Sequence, residues 1–365
     1  MHLVTTVATA QNKEPVFVRY ANEDTIIAVA SYQYSDMPFY RHLLMGKNYR
    51  KTWGTPVRLP VFYLSKTQFQ IEKLGGGKET NSLYLKDSGN QIWVLRSVDK
   101  DVKRGIPGIL KLLPYTAYKQ DLISADHPYS ALVAAEFMNV AGIPASRPVY
   151  YYVADEEALK EYRPLFGNTI CMLEKRDPTP DRTPAISTDS LVKKLKEDSS
   201  YQVLKKQVLK ARILDMLIGD RDRHESQWRW GLLDSGQVKY FYAIPKDRDH
   251  MFFSSGGLLP ALMRLFVARN QIEFTNNSKE LKKLNRKAWK FDRTFLEGLS
   301  TTDWQEMAHV VKIEMSDEVI EAAVNKLPPE ILSIDGDTIK AKLKTRRKDF
   351  VKNIMDYYYF LFPGG

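Results

Sequence analysis

The stretch that most constrains this chain is Ile218-Gly-Asp-Arg-Asp-Arg-His-Glu-Ser-Gln-Trp-Arg-Trp230. It places two aspartates, a histidine and a glutamine within nine residues, Gly219 to Gln227. An apolar helix is expected before it, because Leu204, Val208, Ala211, Leu214 and Ile218 recur at three- and four-residue steps. A shorter echo, Ile244-Pro-Lys-Asp-Arg-Asp-His-Met-Phe252, follows the aromatic strand Tyr240-Phe-Tyr-Ala-Ile and carries Asp247 and Asp249. Carboxylates this close repel one another unless a cation or fixed donors neutralise them. The chain must therefore fold so that two acidic loops, joined by one hairpin, meet compensating charge.

The N-terminal half reads differently. From residue 69, Phe69-Gln-Ile-Glu-Lys-Leu runs into Gly75-Gly76-Gly77-Lys78, then Ser82-Leu-Tyr-Leu-Lys86 alternates, and Gln91-Ile-Trp-Val-Leu-Arg-Ser-Val98 follows the turn Asp87-Ser-Gly-Asn. This is a β-meander whose first turn holds three glycines. Glycine allows backbone N–H groups to turn toward an anion, so Gly75, Gly76, Gly77 and Lys78 form a candidate phosphate cover, with a plain flexible hairpin as the rival reading. Ser130 to Gly142 reads as a helix, with Pro144 just beyond its end. Strands are expected at Pro148–Val153 and Asn168–Glu174. The Pro/Thr/Asp-rich stretch from Arg176 to Pro184 can continue neither a helix nor a central strand, which places a lobe boundary there. The expected organisation is an N-terminal extension over 1–60, a β-rich lobe over 61–176 and a helical lobe over 177–365. Within the extension, Ile26-Ile-Ala-Val-Ala reads as a short buried strand or helix, and residues 41–53 are basic and aromatic.

At 365 residues, with 44% hydrophobic and 12% aromatic content, the chain can build more than one small core. Its net charge of +10 suits anionic partners, yet much of the excess lies in Lys282–Lys287 and Lys340–Lys348, runs that ordinarily form solvated helix faces. Nucleic acid is therefore an unlikely partner. The single cysteine, Cys171, rules out an intrachain disulfide and a Cys-based zinc site, and its apolar neighbours mark it as a small buried hydrophobe. The sequence shows neither a secretory leader pattern nor an apolar run of the ~18 residues a membrane span needs.

The two acidic loops, in this order and spacing behind the glycine-bearing meander, resemble the catalytic and metal loops of atypical protein-kinase-like proteins. These include the HipA-type, spore-coat CotH-type, secretory-pathway and phosphatidylinositol kinases. The likeness covers residues 69–252. It is nearest to the HipA-like segment of bacterial multidomain envelope proteins that also carry a calcineurin-like phosphoesterase, where it extends through Asn48-Tyr-Arg50, Arg96-Ser-Val-Asp-Lys100 and the C-terminal helices. The resemblance implies an α+β, bilobal, kinase-like fold (HipA/CotH-type), with a β-rich N-lobe and a mainly helical C-lobe. It also implies ATP as the nucleotide, Mg2+ or Mn2+ as the metal, and a protein or small-molecule phosphate acceptor. It leaves two locations open: cytoplasmic by sequence, or envelope-associated as a piece of a longer protein.

Position by position, Asp222 matches the aspartate that accepts the proton of the attacking hydroxyl, and His224 matches a histidine that braces its loop. Gln227 stands where the family usually has a metal-binding asparagine, and its extra methylene changes the reach. Glu225 is an alternative ligand there. Asp247 matches the principal metal ligand, and Asp249 a second one; a structural salt bridge to Arg248 or Lys246 is the rival reading for both. Arg96 takes the place of the strand lysine that clamps phosphates, a replacement that is not neutral. Lys78 or Lys100 could supply the missing ammonium. Glu136 is a candidate helical partner, and Glu174 falls at the hinge that meets an adenine. Two other readings remain open: a kinase-fold scaffold impaired by Arg96 and Gln227, and a metal-dependent phosphohydrolase drawing on Asp220, Asp222, His224, Asp247, Asp249 and His250.

Overall fold

The alternation in the N-terminal half produces a sheet with one face for its own core and one for the site. The computed structural model describes residues 19–22, 24–35, 38–77, 79–105, 114–266 and 271–364. Eight strands are β1 (Arg19–Asn22), β2 (Thr25–Ala28), β3 (Val57–Phe62), β4 (Gln70–Gly75), β5 (Ser82–Lys86), β6 (Ile92–Ser97), β7 (Val149–Val153) and β8 (Thr169–Lys175). They lie in the order β1-β2-β3-β7-β8-β6-β5-β4, antiparallel except for the β3–β7 pair. Leu83, Leu85, Leu95, Cys171 and Leu173 pack with Phe62, Val153 and Phe166 in one apolar cluster, where Cys171 is the expected buried hydrophobe. Strand side chains alternate faces, so Arg96, paired in register with Met172, and Glu174 look the other way.

The N-terminal stretch packs against the sheet. Ile26 and Ala28 are fully buried in β2, and β3 joins β7 directly, so three of the eight strands come from residues before 63. The basic, aromatic segment is likewise packed inward. Arg50 is buried and donates to Asp121 Oδ2 at 2.6 Å, Tyr49 Oη donates to the Phe252 carbonyl at 2.6 Å, and Trp53 Nε1 to the Asp126 carbonyl at 3.0 Å.

Past an irregular linker the chain becomes mainly helical. A second sheet of β9 (Ile186–Ser187), β10 (Tyr201–Val203), β11 (Trp228–Asp234) and β12 (Lys239–Pro245) runs in the order β10-β12-β11-β9. Serine caps start several helices as expected: Ser187, Ser316, and Ser300, which forms a capping box with Asp303. The architecture is therefore α+β, a β-rich lobe beside a mainly helical one.

The helix Lys205–Ile218 is the axis of the second lobe. Its apolar spacing predicts one buried stripe, but from Leu209 onward nearly every residue is buried, including Arg212 and Asp215 at 0% exposure. The charge is tolerable because it is paired. Arg212 donates to Asp292 at 2.6 and 3.1 Å, to Asn285 Oδ1 at 2.7 Å and to Asp215 at 2.7 Å, while Tyr357 Oη donates to Asp292 at 2.7 Å. These bonds tie the axis to the helices Trp289–Leu296 and Phe350–Leu361.

The basic run near the C-terminus is also largely spent internally. Arg346 is buried and donates to the Met216 and Leu217 carbonyls, both at 2.8 Å, and to that of Asn277 at 2.6 Å, satisfying the C-terminal end of the axial helix. Arg347 pairs with Asp317 at 2.6 Å and Lys344 with Glu321 at 2.7 Å.

Removing one partner of the Arg212–Asp292 pair strands a buried charge. Asp292→Ala is expected to cost about 3–5 kcal/mol of stability, measured by urea denaturation followed by circular dichroism. A loss below about 1 kcal/mol would show that the network is not holding these helices together.

Candidate active site

The axial helix ends on Gly219, in the left-handed region at φ 74°, with its N–H donating to the Asp215 carbonyl. A Cβ there would lie 2.8 Å from the Phe274 ring, so glycine is required both for the turn and for the contact. The first acidic loop leaves at that point. Its Arg223 reaches back to Asp215 Oδ2 at 3.2 Å and donates to the Lys246 carbonyl at 2.6 Å and the Gln227 carbonyl at 3.2 Å. Arg248 of the second loop also bonds Asp215, closely, through Nη1. One buried carboxylate thus takes guanidinium groups from the helix and from both loops. Burial works to raise its pKa, but Arg248, Arg223 and Arg212 hold it below the usual range.

The loops approach each other through backbone as well. Lys246 N–H donates to the Gln227 carbonyl at 3.1 Å, so buried Gln227 and the start of the second loop are neighbours. Asp247 adopts φ 62°, an uncommon conformation for a non-glycine residue. Across the cleft, Arg96 makes a close ion pair with Asp247 Oδ1 and lies 3.6 Å from Glu174. Lys100 Nζ is 2.8 Å from Asp249 Oδ2 and 3.8 Å from Asp126 Oδ2. Burial opposes both members of the Lys100–Asp249 pair, yet each strengthens the other's charge, raising the lysine and lowering the aspartate.

Asp222, the expected base, lies between the loops. Its carboxylate is bonded closely by Lys287 Nζ, with His224 Nε2 at 3.8 Å and His250 Nε2 at 3.9 Å. Burial would raise its pKa, but His250 and Lys287 outweigh burial and bring it to about 2. Asp220 N-caps nothing; it accepts the Asp222 N–H at 3.2 Å and is pushed up by burial. His224 shares a hydrogen bond with Ser226 Oγ at 2.8 Å and is lowered by burial. His250 is oriented by Asp126, with Nδ1 at 3.0 Å from Oδ2, and Arg221 donates to the other Asp126 oxygen at 2.9 Å.

On the sheet, Gly75, Ser82, Arg96 and Met172 are successive cross-strand partners, which sets the glycine turn at the same end of the sheet as Arg96. Gly76 has φ 117°, and a Cβ there would come within 2.4 Å of the Thr80 carbonyl oxygen. The turn is tied down by Asn81 N–H to Ser97 Oγ at 3.2 Å and Asp101 N–H to the Glu79 carbonyl at 2.8 Å. Lys78 lies outside the described residues. Burial raises the Glu174 carboxyl against the pull of Arg96, and lowers Lys246 to about 8 with help from Arg96, Arg229 and Arg176.

Several expectations need correcting. Glu136 pairs with Lys326 at 3.8 Å, whereas the carboxylates facing Arg96 are Glu174 and Asp247. Glu225 faces Lys290 at 3.2 Å. The sequence offers Arg248 and Lys246 as salt-bridge partners for Asp247 and Asp249, but Asp247 meets Arg96 and Asp249 meets Lys100 of the other lobe, with His250 Nε2 at 3.7 Å from Asp249 Oδ1. Asp126, Asp215, Arg223 and Lys287 were not anticipated. Asp215 hides within an apolar period, and Lys287 within a basic run that reads as solvated. Arg223, inside the first acidic loop, and Asp126, in Asp126-His-Pro128, have a polar local signal.

The carboxylate oxygens of Asp247 and Asp249 and the amide oxygen of Gln227 are hard donors of the type Mg2+ prefers. Asp247 Oδ1 is buried and accepts no hydrogen bond, meeting only the Arg96 charge. The donor chemistry thus fits a divalent cation. Among the described residues no cluster of three His, Cys, Asp or Glu side chains is arranged to hold a metal ion, because the carboxylates face arginine and lysine.

Comparison with solved structures finds the proinflammatory kinase CtkA of Helicobacter pylori, at 12% identity and a TM-score of 0.44, over 82% of this chain and 97% of that one. It also finds the Rio2 kinase of Chaetomium thermophilum in an ADP/Mg2+-phosphoaspartate complex, at 13% identity and a TM-score of 0.35, over 80% and 72%. No protein-family description and no curated protein matches the sequence. Among the described residues no helix is long and apolar enough to cross a membrane.

The low Asp222 pKa fixes the sign of one pH effect. With its folded pKa at about 2 and an ordinary value of 3.8, its stabilising contribution is present above the ordinary value and lost as pH falls through the folded one. The difference amounts to about 2 kcal/mol. Urea denaturation at about pH 5 and about pH 2 should show a smaller loss in Asp222→Asn than in the parent. Equal losses would mean that Asp222 is not held by its cations.

Proposed function

We propose that the chain is a kinase-like phosphotransferase that uses ATP with Mg2+ or Mn2+. The support for this reading is the pairing of the second acidic loop with the sheet lobe, Asp247 with Arg96 and Asp249 with Lys100, next to the His250 that adjoins Asp222 of the first loop. His250 stands between them, 3.9 Å from Asp222 and 3.7 Å from Asp249. Asp247 and Asp249 would hold the metal, with Gln227 beside them. The metal would supply charge neutralisation at the terminal phosphates.

The remaining chemistry falls to the chain's own side chains. Asp222, ionised at neutral pH, would accept a hydrogen bond from the acceptor hydroxyl and orient it in line with the terminal phosphorus. As the new oxygen–phosphorus bond forms and the bond to the departing ADP oxygen breaks, the hydroxyl proton passes to Asp222. Arg96, freed from Asp247, would clamp phosphate oxygens bidentately, and Lys100 would offer a second positive charge. Lys287 would balance charge beside Asp222. Glu174 lies on β8 just before the linker, where backbone groups could meet a base edge, and Gly75–Gly77 would cover the phosphates.

A second reading is favoured by a specific observation. Arg96 and Lys100 already neutralise Asp247 and Asp249, so the fold could serve as a scaffold whose cleft is closed by its own ion pairs. Nucleotide binding separates the two. A ligand at a hundredfold excess over Kd adds about 2.7 kcal/mol to the native state, visible as a thermal shift. The expected result is a metal-dependent shift with ATP that Asp247→Ala removes. Asp222→Ala should keep the shift while losing phosphotransfer by about 10²- to 10⁴-fold. Full activity in both variants would overturn the assignment, and no shift with any nucleotide would favour the scaffold.

A further inference from the structure

A cleft of about 950 Å³ opens on the helical lobe, at the end of the axial helix opposite the acidic loops. It lies between the helix Thr188–Glu197, the edge strand β10, the start of the helix Lys205–Ile218 and the helix Trp289–Leu296. Its volume falls within the ~300–1,000 Å³ range of small-molecule sites. Val192, Leu195, Val203, Leu204 and Phe295 make its walls apolar. The charged residues that line it are Lys196, Lys205 and Lys206, with no carboxylate among them.

Two of these lysines already have partners outside the lining, and the third is exposed. Lys205 Nζ donates to the Glu297 carbonyl at 2.6 Å, Lys206 Nζ pairs with Asp303 at 2.7 Å, and Lys196 is exposed. The axial helix also begins here without a capping side chain, since its N-cap is Leu204. The positive end of a fourteen-residue helix therefore adds to the lysine charge. Lys206 is matched by Asp303, but a neutral apolar ligand would bring no anion to Lys196, Lys205 and the helix end, and a small anion or nucleotide phosphate would leave the apolar walls unfilled. A ligand with one apolar chain and one anionic head satisfies both.

We propose that this cleft binds a single-chain anionic amphiphile, its tail on Val192, Leu195, Val203 and Phe295 and its head at Lys196, Lys205 and the start of the axial helix. The head chemistry is carboxylate or phosphate. A free long-chain acid and a lysophospholipid are the two sources that offer it. This site is independent of the reading of the acidic loops.

The experiment is calorimetric titration of the full 365-residue chain with submicellar dodecanoate, dodecyl phosphate, dodecyl maltoside and dodecyltrimethylammonium. The expected result is saturable one-to-one binding of the anionic amphiphiles and at least tenfold weaker binding of the other two. Decanoate should bind about fifteenfold more weakly than dodecanoate, since each methylene contributes about fourfold. Lys196→Glu, at an exposed site, should weaken dodecanoate without altering the thermal midpoint, and Leu195→Trp should block the tail. Preference for carboxylate or for phosphate tells the two sources apart, and either supports the site. Equal binding of the cationic amphiphile, affinity independent of chain length, or no saturable binding of either anion would overturn it.

Discussion

The site depends on the Asp215 carboxylate. It is fully buried near the end of the axial helix and collects Arg212 from its own turn, Arg223 from the first acidic loop and Arg248 from the second. A buried charge of either sign would be very costly alone. Held together, these groups fix two irregular loops against one rigid helix without needing an apolar face on either loop. Arg223 extends the same clamp to the carbonyls of Lys246 and Gln227. The spacing of Asp222 and Asp247 therefore follows from a network in which neither takes part.

The second level of compensation crosses the lobes. The repulsion expected among the acidic residues is met by Arg96 and Lys100 from one segment, by Lys287 from another and by His250 from the second loop itself. Arg96 and Lys100 come from the sheet lobe and their partners from the helical lobe, so these ion pairs join the lobes at the point where a ligand's charge would enter. Under the proposed function, exchange of an ion pair for phosphate or metal would change partners rather than expose bare charge.

Much of this was legible in the sequence, for a physical reason. Strand alternation and helical spacing record which faces are buried, so the meander, the helix Ser130–Val140, the linker and the axial helix were all readable. Clusters such as Asp220 to Gln227 stand out because so much polarity in so few residues needs explaining. Asp215 was not legible: a single carboxylate inside an apolar period gives no local sign of burial or of its partners. Lys287 was obscured by the basic run around it, and Glu136 was misleading because its helix is right but its direction is not. The sequence left Ile26–Ala30 open between strand and helix, because the segment is short and its sheet is built by the pairing of β3 with β7, far along the chain.

By itself, then, the sequence determined the order of elements, the α+β character, the two acidic loops and the residue types available for chemistry, because local periodicity and turn chemistry are written residue by residue. Tertiary structure alone decided which charges meet. Arg96 with Asp247 and Lys100 with Asp249 are contacts between distant segments, and no local pattern encodes a partner that lies a hundred residues away; Asp215 has its arginines nearer in sequence, but only the fold turns Arg223 and Arg248 back onto it. The strength of these pairs depends on burial, which the fold creates only when the two lobes and their loops come together.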